Sequence, residues 1–200
     1  MIVIGLTGSI GMGKSTTARL FAEFGARVWD ADAAVHRLYA PGGPGVSVVK
    51  ALVPEAVQGD MVDRRILRER VTERPDLLAH LEAGIHPLVQ HDRETFLRIA
   101  AEEGVDIAVC DIPLLFETGD PRAFDAVVVV SAPPAIQRAR VLARPAMTEE
   151  SFARILARQM PDPEKRARAD FIVDTSTGIE RARQTVKTII ATMKDAKSHA

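Results

Sequence analysis

Gly8-Ser9-Ile10-Gly11-Met12-Gly13-Lys14-Ser15 carries the most readable chemistry in this 200-residue chain. The pattern G-x-x-x-x-G-K-[ST] makes a loop whose backbone N–H groups turn inward on phosphate oxygens. Glycine permits both the curl and the close approach. A helix starting behind the loop adds free N–H groups and partial positive charge. Lys14 is long enough to reach β- and γ-phosphates, and the Ser15 hydroxyl is placed to hold Mg²⁺. Gly8, Gly11, Met12, Gly13, Lys14, Ser15 and Thr16 are therefore candidate nucleotide contacts. A glycine-rich turn that matches by chance is the rival reading, and the apolar run before the loop and the helical period after it argue against that. The chain is expected to bind a nucleoside triphosphate.

Phosphoryl chemistry also needs carboxylates and further cations. Asp30 and Asp32 follow a short apolar stretch, Val28-Trp29, after the helix stop at Gly25. At most one of the two is expected to face the site. Asp32 precedes an Ala-rich, helix-favouring segment, and spacing alone leaves it open between helix cap and catalytic carboxylate. Asp111 ends the run Val105 to Asp111 ahead of Ile112-Pro113, the context of the acidic element that supports Mg²⁺ or its waters. A solvated strand-end aspartate is the competing reading. Arg138, Arg140, Arg144, Arg154 and Arg158 fall between Pro134 and Met160. Their planar forks suit bidentate contacts to phosphoryl oxygens, so a basic helical pair hinged near Pro145 could close as a lid.

The elements that must position these groups follow from periodicity. Ile2, Val3, Ile4 and Leu6 read as a buried first strand, and Thr16 to Phe24 as the helix after the loop. Ala126 to Ser131 is a continuous apolar strand of the kind parallel sheets require, and Phe171 to Asp174 a last short one. Pro41-Gly42-Gly43-Pro44-Gly45 breaks the chain, and Val46 to Val57 then looks helical before a turn at Gln58-Gly59-Asp60. Met61 to Glu103 reads as mostly helix, interrupted at Pro75 and again at Pro87, which suits the first turn of a new helix. Such a run without a strand reads as a helical insertion into an α/β core. Ile179 to Met193 is the expected final helix, with Lys194 to Ala200 a frayed end.

Composition narrows the class. The 26 Lys+Arg balance 27 Asp+Glu, so no global field draws the chain to nucleic acid. The single Cys110 makes no internal disulfide and reads as a core residue in a reducing compartment. No apolar run approaches membrane-spanning length, and Ile2 already belongs to a strand, so a soluble cytoplasmic protein with no leader is expected.

Together these residues resemble the dephospho-coenzyme A kinase family. The likeness runs through Gly5 to Thr16, Asp30 to Asp32, Asp63-Arg64, Leu81 to Pro87 and Pro113 to Glu117. It continues through Gln137, Arg140, Arg144 and Gln159 to Ala169–Val173. It implies an α/β fold of the P-loop NTPase type: a parallel sheet flanked by helices, with a helical substrate-binding insertion and an arginine-bearing lid. On this chain the nucleotide core would be 1–45, 104–136 and 163–200, the CoA-binding insertion 46–103 and the lid 137–162. The resemblance implies ATP and dephospho-CoA as partners, Mg²⁺ as cofactor, no nucleic acid or membrane, and a monomer or weak homo-oligomer. Asp32 becomes the implied catalytic base, acting with Lys14 and Arg140. Arg144 joins the ATP contacts, His86, Pro113, Leu114 and Glu117 lie toward the acceptor, and Ser15 with Asp111 serve the metal. Two departures stand out: Pro145-Ala146 follows Arg144 where the family usually has an acidic residue, and Asp174 to Gly178 lacks the family's usual Asn. Rival readings are a kinase for another small acceptor and a nucleotide switch, although the Asn-Lys-x-Asp of guanine-nucleotide switches is absent.

Overall fold

Residues 1–199 are described by a computed structural model. The chain divides into two compact units, the first made of residues 1–29 and the chain from Ala100 onward, the second of Asp30–Ile99.

The first unit is built on a five-stranded sheet in the order β2-β5-β1-β6-β7. The strands are β1 (Ile2–Thr7), β2 (Arg27–Asp30), β5 (Ile107–Asp111), β6 (Ala126–Ser131) and β7 (Phe171–Asp174). β1 runs parallel to β5 and β6, and β6 runs parallel to β7. All six residues of β6 are buried, as expected where helices cover both faces. Alternation along β6 sorts the core. Val128 and Val130 pack in one cluster with Ile4, Leu6, Phe21, Val186 and Ile189, while Val127 and Val129 pack on the other face with Leu115. α1 (Lys14–Glu23) and α10 (Ile179–Ser198) supply the first of these covers. β1 is central, and the order reverses around it. In open α/β sheets that switch point, at the carboxyl ends of the strands, is where ligands bind. The register pairs Leu6 with Asp111, which brings the end of β5 beside the start of the phosphate loop.

The second unit holds α2 (Ala31–Tyr39), α3 (Gly45–Leu52), a small antiparallel hairpin of β3 (Val57–Gln58) and β4 (Met61–Val62), α4 (Arg64–Glu73) and most of α5 (Asp76–Glu102). Its own core joins Val46, Val49, Val53, Ala56, Val62, Leu67, Leu77 and Leu81. Remaining helices belong to the first unit: α6 (Leu115–Thr118), α7 (Pro134–Leu142), α8 (Glu149–Leu156) and α9 (Asp162–Ala167).

The structure corrects the sequence reading in four places. Pro87 does not start a new helix; α5 runs through it for 27 residues, and Leu77, Leu81 and Ile85 stay buried on one side of the break that proline would make. The stripe continues past the proline, with Leu88 and Val89 half-buried and Ala100 buried, and its burial outweighs the lost backbone hydrogen bond. The turn at 58–60 joins strands rather than helices, so the insertion is not strand-free. Asp30, not Asp32, caps α2: its carboxylate accepts from the Ala33 N–H at 2.9 Å, and the helix has begun by Ala31. The tail is not frayed from Lys194, because α10 continues to Ser198. Lys194 pairs with Asp106 at 2.6 Å and Lys197 donates to the Met1 carbonyl at 2.7 Å, anchors that periodicity cannot reveal. Ala200, the last residue of that tail, lies outside the described residues.

Candidate active site

The phosphate loop leaves β1 at Thr7 and enters α1 at Lys14. Two glycines are required by geometry. Gly11 has φ 78° and a Cβ there would meet Val141 at 2.5 Å; Gly13 has φ 96° and approaches the Thr175 side chain. No side chain caps α1, and Thr17 is the first residue whose N–H returns to Gly13 O, at 3.0 Å. The N–H groups of Gly13 to Thr16, just ahead of it, are therefore free to meet an anion, the usual condition for phosphate binding at a helix start. Lys14 Nζ contacts Asp111 Oδ1, and that aspartate is 2% exposed. A buried carboxylate is thus neutralised beside the loop. Ser15 is exposed at the second position of α1.

The loop is gripped from outside by side chains of α7, the turn after α8 and the segment after β7. Gln137 Nε2 donates to Ile10 O at 2.8 Å, and Gln159 Oε1 accepts from Ile10 N at 3.1 Å. Thr175 Oγ1 donates to Met12 O at 2.7 Å. The Met12 side chain is buried in the core, where its sulfur accepts from Ala132 N, so its part in the loop is played by backbone. Arg140 spans Thr175, donating to Oγ1 at 2.8 Å and to the carbonyl at 2.7 Å. Arg140, Arg144, Thr16, Thr175 and Gly178 border a cavity of about 330 Å³ beside Gly11 and Gly13. A larger one, about 690 Å³, meets the loop at Ser9 and Met12 and is bounded by Gln137, Gln159 and Arg166. The Asp174 carboxyl titrates below the usual range because it accepts from Ser176; burial opposes this, and Arg166 and Arg140 add attraction.

Pro113 and Leu114 form the half-buried loop between β5 and α6. Thr7 Oγ1 donates to the Pro113 carbonyl at 3.2 Å, tying that loop to β1. Glu117 is committed on one oxygen: Oε1 accepts from Met160 N at 2.7 Å and pairs with Lys165 Nζ at 2.9 Å, while Oε2 is buried with no partner. Asp32 and His86 belong to the second unit, both exposed, Asp32 in the first turn of α2 and His86 on α5. The structure therefore brings together Gly8 through Thr16, Asp111, Pro113, Arg140 and Arg144 within one unit. Three residues escaped the sequence reading: Thr175 as the anchor of Arg140, Asp30 as a cap, and the wholly buried Lys165. Only Asp30 left a signal, an aspartate three residues before Ala33 at a helix start. Lys165 sits among Glu164, Arg166 and Arg168 and looks like a surface residue.

A family model described as dephospho-CoA kinase matches residues 2–181. The chain belongs to the dephospho-CoA kinase family. A relative named dephospho-CoA kinase, from Cereibacter sphaeroides, is 57% identical over 192 residues, covering 96% of this chain and 95% of that one. A crystal structure from Thermus thermophilus superposes with a TM-score of 0.81 at 35% identity, over 96% and 97% of the two chains. A dephospho-CoA kinase structure from Campylobacter jejuni, at 24% identity, shares the fold with a TM-score of 0.72 over 98% of each. The chain is accordingly a kinase on a mostly parallel sheet flanked by helices. The phosphate loop, the Pro113–Glu117 loop, the α7 arginines and Ala169–Val173 all fall inside the matched span.

Proposed function

We propose that this dephospho-CoA kinase family member transfers the γ-phosphoryl group of MgATP to the ribose 3′-hydroxyl of dephospho-CoA. The products are ADP and coenzyme A, which makes this the last step of coenzyme A biosynthesis. The observation that carries the reading is the phosphate loop with free helix N–H groups and Lys14, in a chain whose family match runs from residue 2 to 181.

Backbone N–H groups of Gly11 and of Gly13 to Thr16 bind the phosphates, and Lys14 balances the β- and γ-oxygens. Arg140 and Arg144 border the adjoining cavity and oppose charge on the transferring group. The acceptor oxygen attacks phosphorus in line while ADP leaves, and Asp32, exposed and free of the capping task, takes the hydroxyl proton. The described residues hold no cluster of three or more ligating side chains for a metal, which fits an ion that arrives on the nucleotide. Ser15 and Asp111 would hold Mg²⁺, which supplies neutralisation of the β- and γ-phosphate charge.

Pro113, Leu114, His86 and Glu117 serve the acceptor side, with residues 46–103 as the CoA-binding insertion and 137–162 as a lid that excludes water. Among the described residues no helix is long and apolar enough to cross a membrane. The protein works in the cytoplasm as a monomer or weak homo-oligomer, without nucleic acid; its single, buried Cys110 and near-neutral charge support that reading.

The deciding experiment follows ADP release from MgATP with dephospho-CoA, adenosine or AMP as acceptor. Turnover with dephospho-CoA alone, with the new phosphate on the 3′-oxygen, is expected. Turnover with a control acceptor and none with dephospho-CoA would overturn the acceptor.

A further inference from the structure

Lys165 is a lysine with no exposed surface, and the phosphoryl-transfer chemistry does not use it. Burying an ammonium is costly unless it is paired, and its partner Glu117 is satisfied on one oxygen only. A half-satisfied buried pair adds little stability compared with apolar residues of like size. What it does hold is position. Lys165 Nζ meets Glu117 Oε1 at 2.9 Å and lies 3.5 Å from the Pro113 carbonyl, which also accepts from Thr7. The same Glu117 oxygen accepts from Met160 N, and the residue before it, Gln159, accepts from Ile10 N at the apex of the phosphate loop. The contacts close a ring: β1 at Thr7, the 113–117 loop, the 159–160 strap joined to it by Glu117, and back to Ile10, with Lys165 clamping Pro113 and Glu117 inside that loop.

We propose that Lys165 is a positioning residue that, through Glu117 and the Gln159–Met160 strap, sets the register between the 113–117 loop and the phosphate loop. This rests on the reading above that the 113–117 loop faces the acceptor. The ring joins the stem of the phosphate loop to its apex by way of that acceptor-side loop, so slack in it moves donor against acceptor. In-line transfer is sensitive to such shifts, a misplacement of about 1 Å costing about 10²-fold in rate.

The test compares the native chain with Lys165→Met and with Lys165→Met/Glu117→Gln, in which the new side-chain amide oxygen can still accept from Met160 N while no charge is stranded. Thermal unfolding, amide hydrogen exchange at Ile10, and kcat and KM for each substrate are measured on all three. Both variants should lose about 10- to 100-fold in kcat, with KM for MgATP changed by less than about threefold. The double variant should unfold near the native temperature yet keep the kcat loss and exchange faster at Ile10. Native kcat or native protection at Ile10 in the double variant would overturn the proposal, leaving the pair as packing. If the single variant does not fold, the double variant decides. If the native chain turns over no dephospho-CoA, the acceptor assignment fails by itself, and exchange at Ile10 still decides whether Lys165 controls the phosphate loop.

Discussion

Asp30 and Asp32 stand two residues apart and do different work. Asp30 accepts from Ala33 N and closes the start of α2; Asp32 has no part in that cap and its side chain is exposed. Asp32→Asn keeps the shape and removes the base, so kcat should fall about 10²- to 10⁴-fold while MgATP affinity and unfolding midpoint stay near native. A kcat within a few-fold of native would remove Asp32 from the reaction. Asp30→Ala should instead cost about 1 kcal/mol of stability, read by urea unfolding. At this scale the phosphate loop was legible because its chemistry is local: glycines, lysine and serine within eight residues. Lys165 was not, because its meaning lies in Glu117, 48 positions away, and in a burial that its charged neighbours conceal.

Among elements, strands were easier to read than helix interruptions. β6 and β7 have the predicted bounds because continuous or alternating apolar runs identify a buried strand directly. Pro87 misled because proline's local preference for a helix start gave way to the buried stripe of α5. That conflict is measurable. Pro87→Ala restores a backbone donor inside the helix, and although the freer unfolded chain offsets part of the gain, stability should rise by about 1–2 kcal/mol. An unchanged urea midpoint would mean that the helix has already relaxed around the proline. The lid arginines were legible as a cluster, but the anchor of Arg140 was not. Its fork is held by Thr175, which in turn holds the Met12 carbonyl, so this short loop after β7 organises cation and phosphate loop together. Arg140→Met should lower kcat by about 10³-fold or more if the guanidinium meets the transferring group, with Arg140→Lys recovering only part, because an ammonium cannot reproduce the two-pronged contact. Full activity in Arg140→Lys would reduce the role to simple charge.

For the molecule as a whole, the near balance of charge hides carboxylates that matter only when folded. Asp174 and Asp106 both titrate below the usual carboxylate range, Asp174 through its bond from Ser176 and Asp106 through Lys194. Both lie in the first unit. The Asp106 pair also joins the start of the sheet to the end of α10, beside the Lys197 bond to Met1. A carboxyl whose folded pKa is depressed contributes stability that is fully present above its unfolded value, about 3.9. That contribution is lost as pH falls through the lower folded value. The chain should therefore keep its stability down to about pH 5 and lose it progressively below. Asp106→Asn/Asp174→Asn should be less stable than native near neutrality and show a flatter acid limb, since the amide put in place of Asp174 can still accept from Ser176 but no longer titrates. Added salt should flatten the native acid limb as well, because the Asp106–Lys194 pair is exposed and screened. Urea midpoints taken between pH 3 and 7 at two salt concentrations check both statements. Parallel acid limbs for native and variant would place the acid sensitivity in other groups.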